Sequence, residues 1–233
     1  MPVGDTGQGG TLAQTHEGQP GLPRGRSHLP LPAVRASQRK RLLRSVIAAV
    51  SETGYPAVTV ADIVRRARVS RAAFYAHFTD KEDCFLAATA DGRELLISQL
   101  AAATRALPAE ASDEAVLRAA CRAYLAFFVS EPAFARVFYI HMPTAGARAV
   151  DRLDAAHSRF AELNRTWHLR AREHHPDWPS VPAEAYIALS AATTQLMRSM
   201  VRAGRTDALP ELEDTIVSLH LAVLAGRPWL AGT

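Results

Sequence analysis

Several features that would each point to a chemistry are missing from this 233-residue chain. Cys84 and Cys121 are its only cysteines, with no C-x-x-C spacing and no pairing framework, so both are expected as reduced thiols. A redox-sensing role for either is a remote reading. No apolar run is long enough to span a bilayer, and the first residues lack the charged and apolar regions of a signal peptide. A soluble cytoplasmic protein without a membrane partner is the expectation. There is no glycine-rich phosphate loop, no metal quartet and no nucleophile spaced for a base. Asp154 with His157, or His141 with His157, lacks further ligands of convincing spacing. No catalytic residue, metal or cofactor is therefore assigned, and a helical enzyme with a basic appendage is kept only as a remote alternative. Strand-like alternation and internal repeats are also absent, which predicts an all-α protein.

What is present is segregated charge. The formal net charge is +4. Between Arg35 and Lys81 ten Lys or Arg face only Glu52, Asp62 and Asp80, a local balance of +7. From Glu82 onward fifteen basic residues meet eighteen acidic ones, a balance of −3. A basic head on a mildly acidic body suits a protein that binds nucleic acid at one end.

The stretch Thr59–Phe85, TVADIVRRARVSRAAFYAHFTDKEDCF, reads as two short helices around a tight turn. Thr59 is placed to N-cap the first helix, with Asp62 in its first turn. Val60, Ile63, Val64 and Ala67 follow the spacing of one buried face. Ser70 offers the second N-cap after a turn of about Arg68 and Val69. Val69, Ala73, Phe74 and Phe78 then point back at the first helix and leave Arg71, Ala72 and Tyr75 outward. Such a helix-turn-helix lays its second helix in the major groove of DNA. From periodicity alone, a small helical hairpin with a basic surface is an equal reading.

The order V-S-R-A-A-F-Y-A-H-F-x-D-K-E-D resembles the recognition helix of the TetR family of bacterial transcriptional regulators, with its Tyr-x-His-Phe tail and following Lys. The resemblance implies base contacts from Arg71, Ala72 and Ala73, with Ser70 at the helix start. It implies phosphate contacts from Thr59, Tyr75, His77 and Lys81, and from Arg39 or Lys40 on the preceding support helix. Arg71 is the candidate reader of a guanine, since its fork reaches O6 and N7 together. Two departures stand out. Arg68 occupies a turn position where the family usually has glycine, and a side chain tolerates the left-handed region less well. Ala72 and Ala73 replace a frequent Gly and Thr, which removes a hydroxyl.

Residues 1–33 read as a disordered leader rich in Gly, Pro and Gln, or as the product of a misassigned start. Residues 34–80 are expected to form the DNA-binding domain, with a support helix from Ala36 to Gly54. Residues 81–233 are expected as a helical effector-binding and dimerisation domain, about nine helices in all. Asp80 is a natural N-cap for a long helix to about Leu107, broken softly at Gly92, with Asp83 in the capping-box position. Further helices are expected over roughly 112–129, 132–142, 146–174, 183–203 and 211–225.

Aromatic and apolar residues gather in the middle helices, most simply as core. Interspersed polar groups and the resemblance together suggest an effector pocket of Tyr124, Phe127, Phe128, Phe138, His141, Met142, Phe160, Asn164, Trp167 and Met197. The family also pairs its last two helices with their copies in a second subunit. By that analogy Tyr186, Leu189, Thr193, Leu196, Met200, Ile216, Leu219 and Val223 form a homodimer interface. The expectation is a one-component regulator, a repressor that binds a palindromic operator in double-stranded DNA and is released by a small, mostly apolar or aromatic effector. The alternative is a ligand-independent or activating DNA-binding regulator.

Overall fold

The computed structural model describes residues 10–15 and 30–228. Nine α-helices and no strand occur among the described residues. These residues divide into two compact units. The first holds the described residues up to Glu94 together with Ser130–Ala149, and the second holds Leu95–Val129 and the described residues from Val150 onward.

In the first unit, helix α1 (Leu31–Thr53) starts five residues earlier than Ala36, with Pro32 in its first turn, where its missing N–H costs nothing. It ends at Gly54, whose φ of 82° suits glycine. Leu42, Val46, Ile47 and Val50 are buried on it. Helix α2 (Val60–Ala67) packs against α1 through Ile63 and Ala67. The two helices are also clamped by a two-pronged ion pair, Arg66 Nη1 and Nη2 at 2.8 and 2.6 Å from the Glu52 carboxylate.

Helix α4 (Lys81–Arg105) runs through Gly92 without a break. Glycine stands there because a Cβ would collide with the Phe134 ring, which is itself fully buried. Asp80 caps α4 by accepting the Asp83 N–H at 2.8 Å. The Asp83 carboxylate reaches one residue further back than a capping box requires, to the Thr79 N–H at 3.0 Å. Phe134 belongs to α6 (Pro132–Arg136), which continues into a π-helical turn, Val137–His141, and a 3-10 turn, Met142–Thr144. The sequence pattern gave no sign of the π turn.

Of the segment expected as a leader, residues 1–9 and 16–29 lie outside the described residues. Thr11–Ala13 form a 3-10 turn against α1 and α6. The Thr11 and Leu12 N–H groups and the Thr11 hydroxyl converge on the buried Glu131 carboxylate at 2.6–2.9 Å.

The second unit comprises the rest of α4, nearly all of α5 (Asp113–Ser130) and of α7 (Ala147–His174), α8 (Ala183–Arg202) and α9 (Glu213–Leu224), the last preceded by a 3-10 segment, Thr206–Leu212. Ser112 caps α5 by accepting the Ala115 N–H at 3.2 Å. Arg118 and Arg122 tie α5 to the first turn of α9 through Glu213 and Asp214. The Arg122 hydrogen bonds hold the Glu213 carboxyl below the usual range. His168 Nδ1 lies 2.8 Å from the Tyr186 hydroxyl, beside Trp178, which also stacks on His175.

Candidate nucleic-acid interface and effector cavity

Two local caps set the geometry of the basic head. The Thr59 hydroxyl accepts the Asp62 N–H at 3.2 Å, and the Asp62 carboxylate accepts the Thr59 N–H at 3.0 Å. These reciprocal bonds form a capping box that starts α2, and the Thr59 hydrogen bonds hold the Asp62 carboxyl below its ordinary range. The α2 helix ends with Arg68 in the left-handed region, φ 55°, ψ 43°. The Arg68 N–H bonds the Arg65 carbonyl and the Val69 N–H bonds that of Val64, the pattern of a Schellman cap. The turn thus keeps the glycine-type backbone with an arginine in it.

Helix α3 (Arg71–Tyr75) follows, capped by the Ser70 hydroxyl, which accepts the Ala73 N–H at 3.1 Å and keeps its own proton for an outside acceptor. Phe74 and Phe78 are buried, and Val69 and Ala73 half-buried, so α3 turns that side inward. Arg71, Ala72 and Tyr75 are exposed. The Arg71 guanidinium lies 5.6 Å from the centre of the Tyr75 ring, one helical turn away. An arginine held over a ring is partly ordered before any base arrives.

Other expected contact residues are differently engaged. The Thr59 hydroxyl proton is already given to Asp62 Oδ2 at 2.6 Å. Lys81 Nζ donates to the carbonyls of Tyr55 at 3.0 Å and Val58 at 2.8 Å and sits over the Tyr55 ring. It therefore ties the start of α4 to the turn before α2, with one of its three donors left. His77 is half-buried, and burial, with Arg35 and Arg39 nearby, pushes its pKa down. Arg39 pairs with Asp91 at 3.0 Å, and Lys40 is exposed.

The second unit holds a partly open pocket of about 90 Å³. Tyr124, Phe160 and Asn164 line it, as expected from the sequence. The remaining expected pocket residues lie elsewhere. Phe138, His141 and Met142 belong to the first unit, where the α6 segment packs on α1. Phe127, Phe128 and Met197 are buried and do not line the cavity. Trp167 packs on Trp178 and donates its indole N–H to the Asp113 carbonyl at 3.0 Å.

Residues that the sequence reading passed over complete the walls. Leu100, Leu117, Ala120 and Cys121 come from α4 and α5, Ser190 and Thr194 from α8, and His220 from α9. Thr193 and Ile216, expected at a subunit interface, are among the residues that line the pocket. Burial and the Glu213 charge push the Cys121 thiol up to about 12, so it stays protonated; burial also raises that of Cys84. Tyr186 and Leu189 join Leu224 in the interior of the same unit. Leu196, Met200 and Leu219 are half-buried, Val223 is 37 % exposed and Ile187 on α8 is 55 % exposed.

Among the described residues no group of three or more His, Cys, Asp or Glu is placed to hold a metal, and no single helix is long and apolar enough to cross a membrane.

Residues 43–88 match the family model of bacterial regulatory proteins, tetR family. Comparison with curated proteins gave no match. Among solved structures the chain is similar to the fatty acid degradation regulator FadR from Bacillus halodurans, with a TM-score of 0.71 at 13% identity over 81% of this chain and 95% of that one. FadR from Bacillus subtilis, solved in complex with stearoyl-CoA, gives 0.69 at 12% identity, over 80% of this chain and 98% of that one. A TetR-like transcriptional regulator from Rhodococcus sp. RHA1 gives 0.62 at 23% identity, over 85% and 100%. The basic head thus matches the tetR family of bacterial regulatory proteins, and the chain that carries it has the fold of TetR-family transcriptional regulators.

Proposed function

We propose that this protein is a one-component repressor that binds a palindromic operator as a homodimer and is released by a small, mostly apolar effector held in the second unit. The observation that carries the reading is the exposed Arg71–Tyr75 pair on a short helix fixed by two caps and a Schellman turn. Arg71 reads a base edge, while Ser70, Tyr75 and Lys40 meet phosphates and set the register. His77 serves as a neutral hydrogen-bonding ring, and Arg39 reaches phosphate only by leaving Asp91.

Support for two subunits comes from the apolar surface on α8 and α9, where Ile187 and Val223 are exposed and Leu196, Met200 and Leu219 only half-covered. Twofold pairing would cover these side chains and present two α3 helices to a palindrome. The effector acts by favouring one of two states of the protein, and only a ligand with differential affinity for them can do so. The α4 helix contributes residues to both units and is one of the covalent routes for that preference. Regulators of this fold carry out no catalysis in this reading, and a cytoplasmic location follows from a DNA target.

Selection of bound sequences from random duplex DNA tests the proposal directly. A palindromic consensus is expected. Arg71→Ala should cost about 1–3 kcal/mol on that consensus and relax one position of each half-site. Recovery of no consensus, or wild-type affinity in the Arg71 variant, would remove the reading.

A further inference from the structure

The cavity walls are selective in charge. No lysine, arginine, aspartate or glutamate lines the cavity. An ion placed there would lose its hydration and find no counter-charge.

The polar groups that remain are oriented by their own bonds. His220 is buried, with Nδ1 2.7 Å from the Ile216 carbonyl one turn back in α9. A carbonyl oxygen only accepts, so Nδ1 carries the proton, and burial keeps the ring neutral by lowering its pKa. Nε2 is then a bare acceptor, without a partner among the described residues, on a ring that lines the cavity. An acceptor that faces the pocket with no partner of its own favours a ligand that brings a donor. Tyr124 and Phe160, edge-on at 5.5 Å, supply the apolar wall.

We propose that the effector is a small neutral molecule with an apolar body against Tyr124 and Phe160 and a hydroxyl that donates to His220 Nε2. The proposal rests on the reading of the second unit as the effector domain. It sets this chain apart from the stearoyl-CoA complex of Bacillus subtilis FadR, since a multiply charged head does not suit the uncharged lining.

Calorimetry on the full chain with p-cresol, toluene, p-toluate and stearoyl-CoA tests it. Saturable p-cresol binding, at least tenfold tighter than toluene, is expected, with no saturable binding of p-toluate or stearoyl-CoA. His220→Leu should abolish the tenfold preference and leave toluene within twofold. His220→Gln, which restores an acceptor, should recover part of it, and the wild-type preference for p-cresol over toluene remains the test if the His220 variants misfold. Equal affinity for p-cresol and toluene, tighter binding of p-toluate or stearoyl-CoA, or binding of no neutral probe would each overturn the inference. The regulatory reading is judged separately on the selected operator. Binding of p-cresol without operator release keeps the ligand class and removes the regulation, whereas release by stearoyl-CoA alone does the reverse.

Discussion

Replacing Arg68 with glycine is expected to stabilise the protein, although the substitution deletes an entire side chain. The native backbone at Arg68 has φ 55° and ψ 43°, and among the non-glycine described residues it alone has positive φ. A Cβ in that region crowds the following carbonyl at a cost of about 1–2 kcal/mol, which glycine avoids. Against this, glycine gives the unfolded chain more freedom, worth about 0.4–1 kcal/mol in the opposite direction. The net expectation is a gain of about 0.5–1 kcal/mol, or a rise in Tm of about 1–4 °C for a chain of this length. The Arg68 side chain is exposed, so little packing is lost. Calorimetric scans of wild type, Arg68→Gly and Arg68→Ala separate strain from charge. Alanine removes the guanidinium and keeps the Cβ, so it should stay within about 0.5 kcal/mol of wild type, the usual range for surface changes. A glycine variant no more stable than the alanine variant would refute the strain argument.

Two further predictions follow from close contacts in the first unit. Gly92→Ala would gain up to about 1 kcal/mol of helix propensity in an open site. Here it should instead destabilise by about 1–3 kcal/mol, because the new methyl falls on the Phe134 ring. Urea melts of Gly92→Ala with and without Phe134→Leu check this, since the second change should recover part of the loss. Lys81→Met should cost about 1–2 kcal/mol of stability with no DNA present, because the Tyr55 and Val58 carbonyls lose their donor. Thermal unfolding of the free protein measures it, and an unchanged Tm would return Lys81 to a purely phosphate-binding role.

How far the sequence could be read depends on the range of the interaction. The Thr59–Asp62 box, the Ser70 cap and the inward Phe74 and Phe78 are set within a few residues, and all were legible. Arg68 was legible as a misfit, and the structure gives the misfit an angle. The pocket was legible only in part, through Tyr124 on α5 and the i, i+4 pair Phe160 and Asn164 on α7. Phe138, His141 and Met142 carry the same composition, but their helix packs with α1 in the other unit, which periodicity cannot reveal. Thr193 and Ile216 show the same limit on α8 and α9. With apolar residues on more than one face, the pattern does not say which face meets the protein's own interior. His220 did leave a signal, since it shares the i, i+4, i+8 stripe of Ile216 and Leu224. A histidine in an apolar stripe is a candidate for a polar point in an apolar site.

The division of the first unit has a consequence for how the protein is made. Its helix-turn-helix segment leaves the ribosome early, yet Gly92 has no Phe134 to close on, and Thr11 no Glu131 to hold, until Ser130–Ala149 has followed. Thr11 and Glu131 stand 120 residues apart, and contacts of that separation carry a large loop-closure entropy. Synthesis at roughly 5–20 residues per second therefore leaves the nascent head unfinished for seconds, with the slot for α6 open. The DNA-reading surface is encoded by one short run of sequence, but its completion waits on a segment translated well after it.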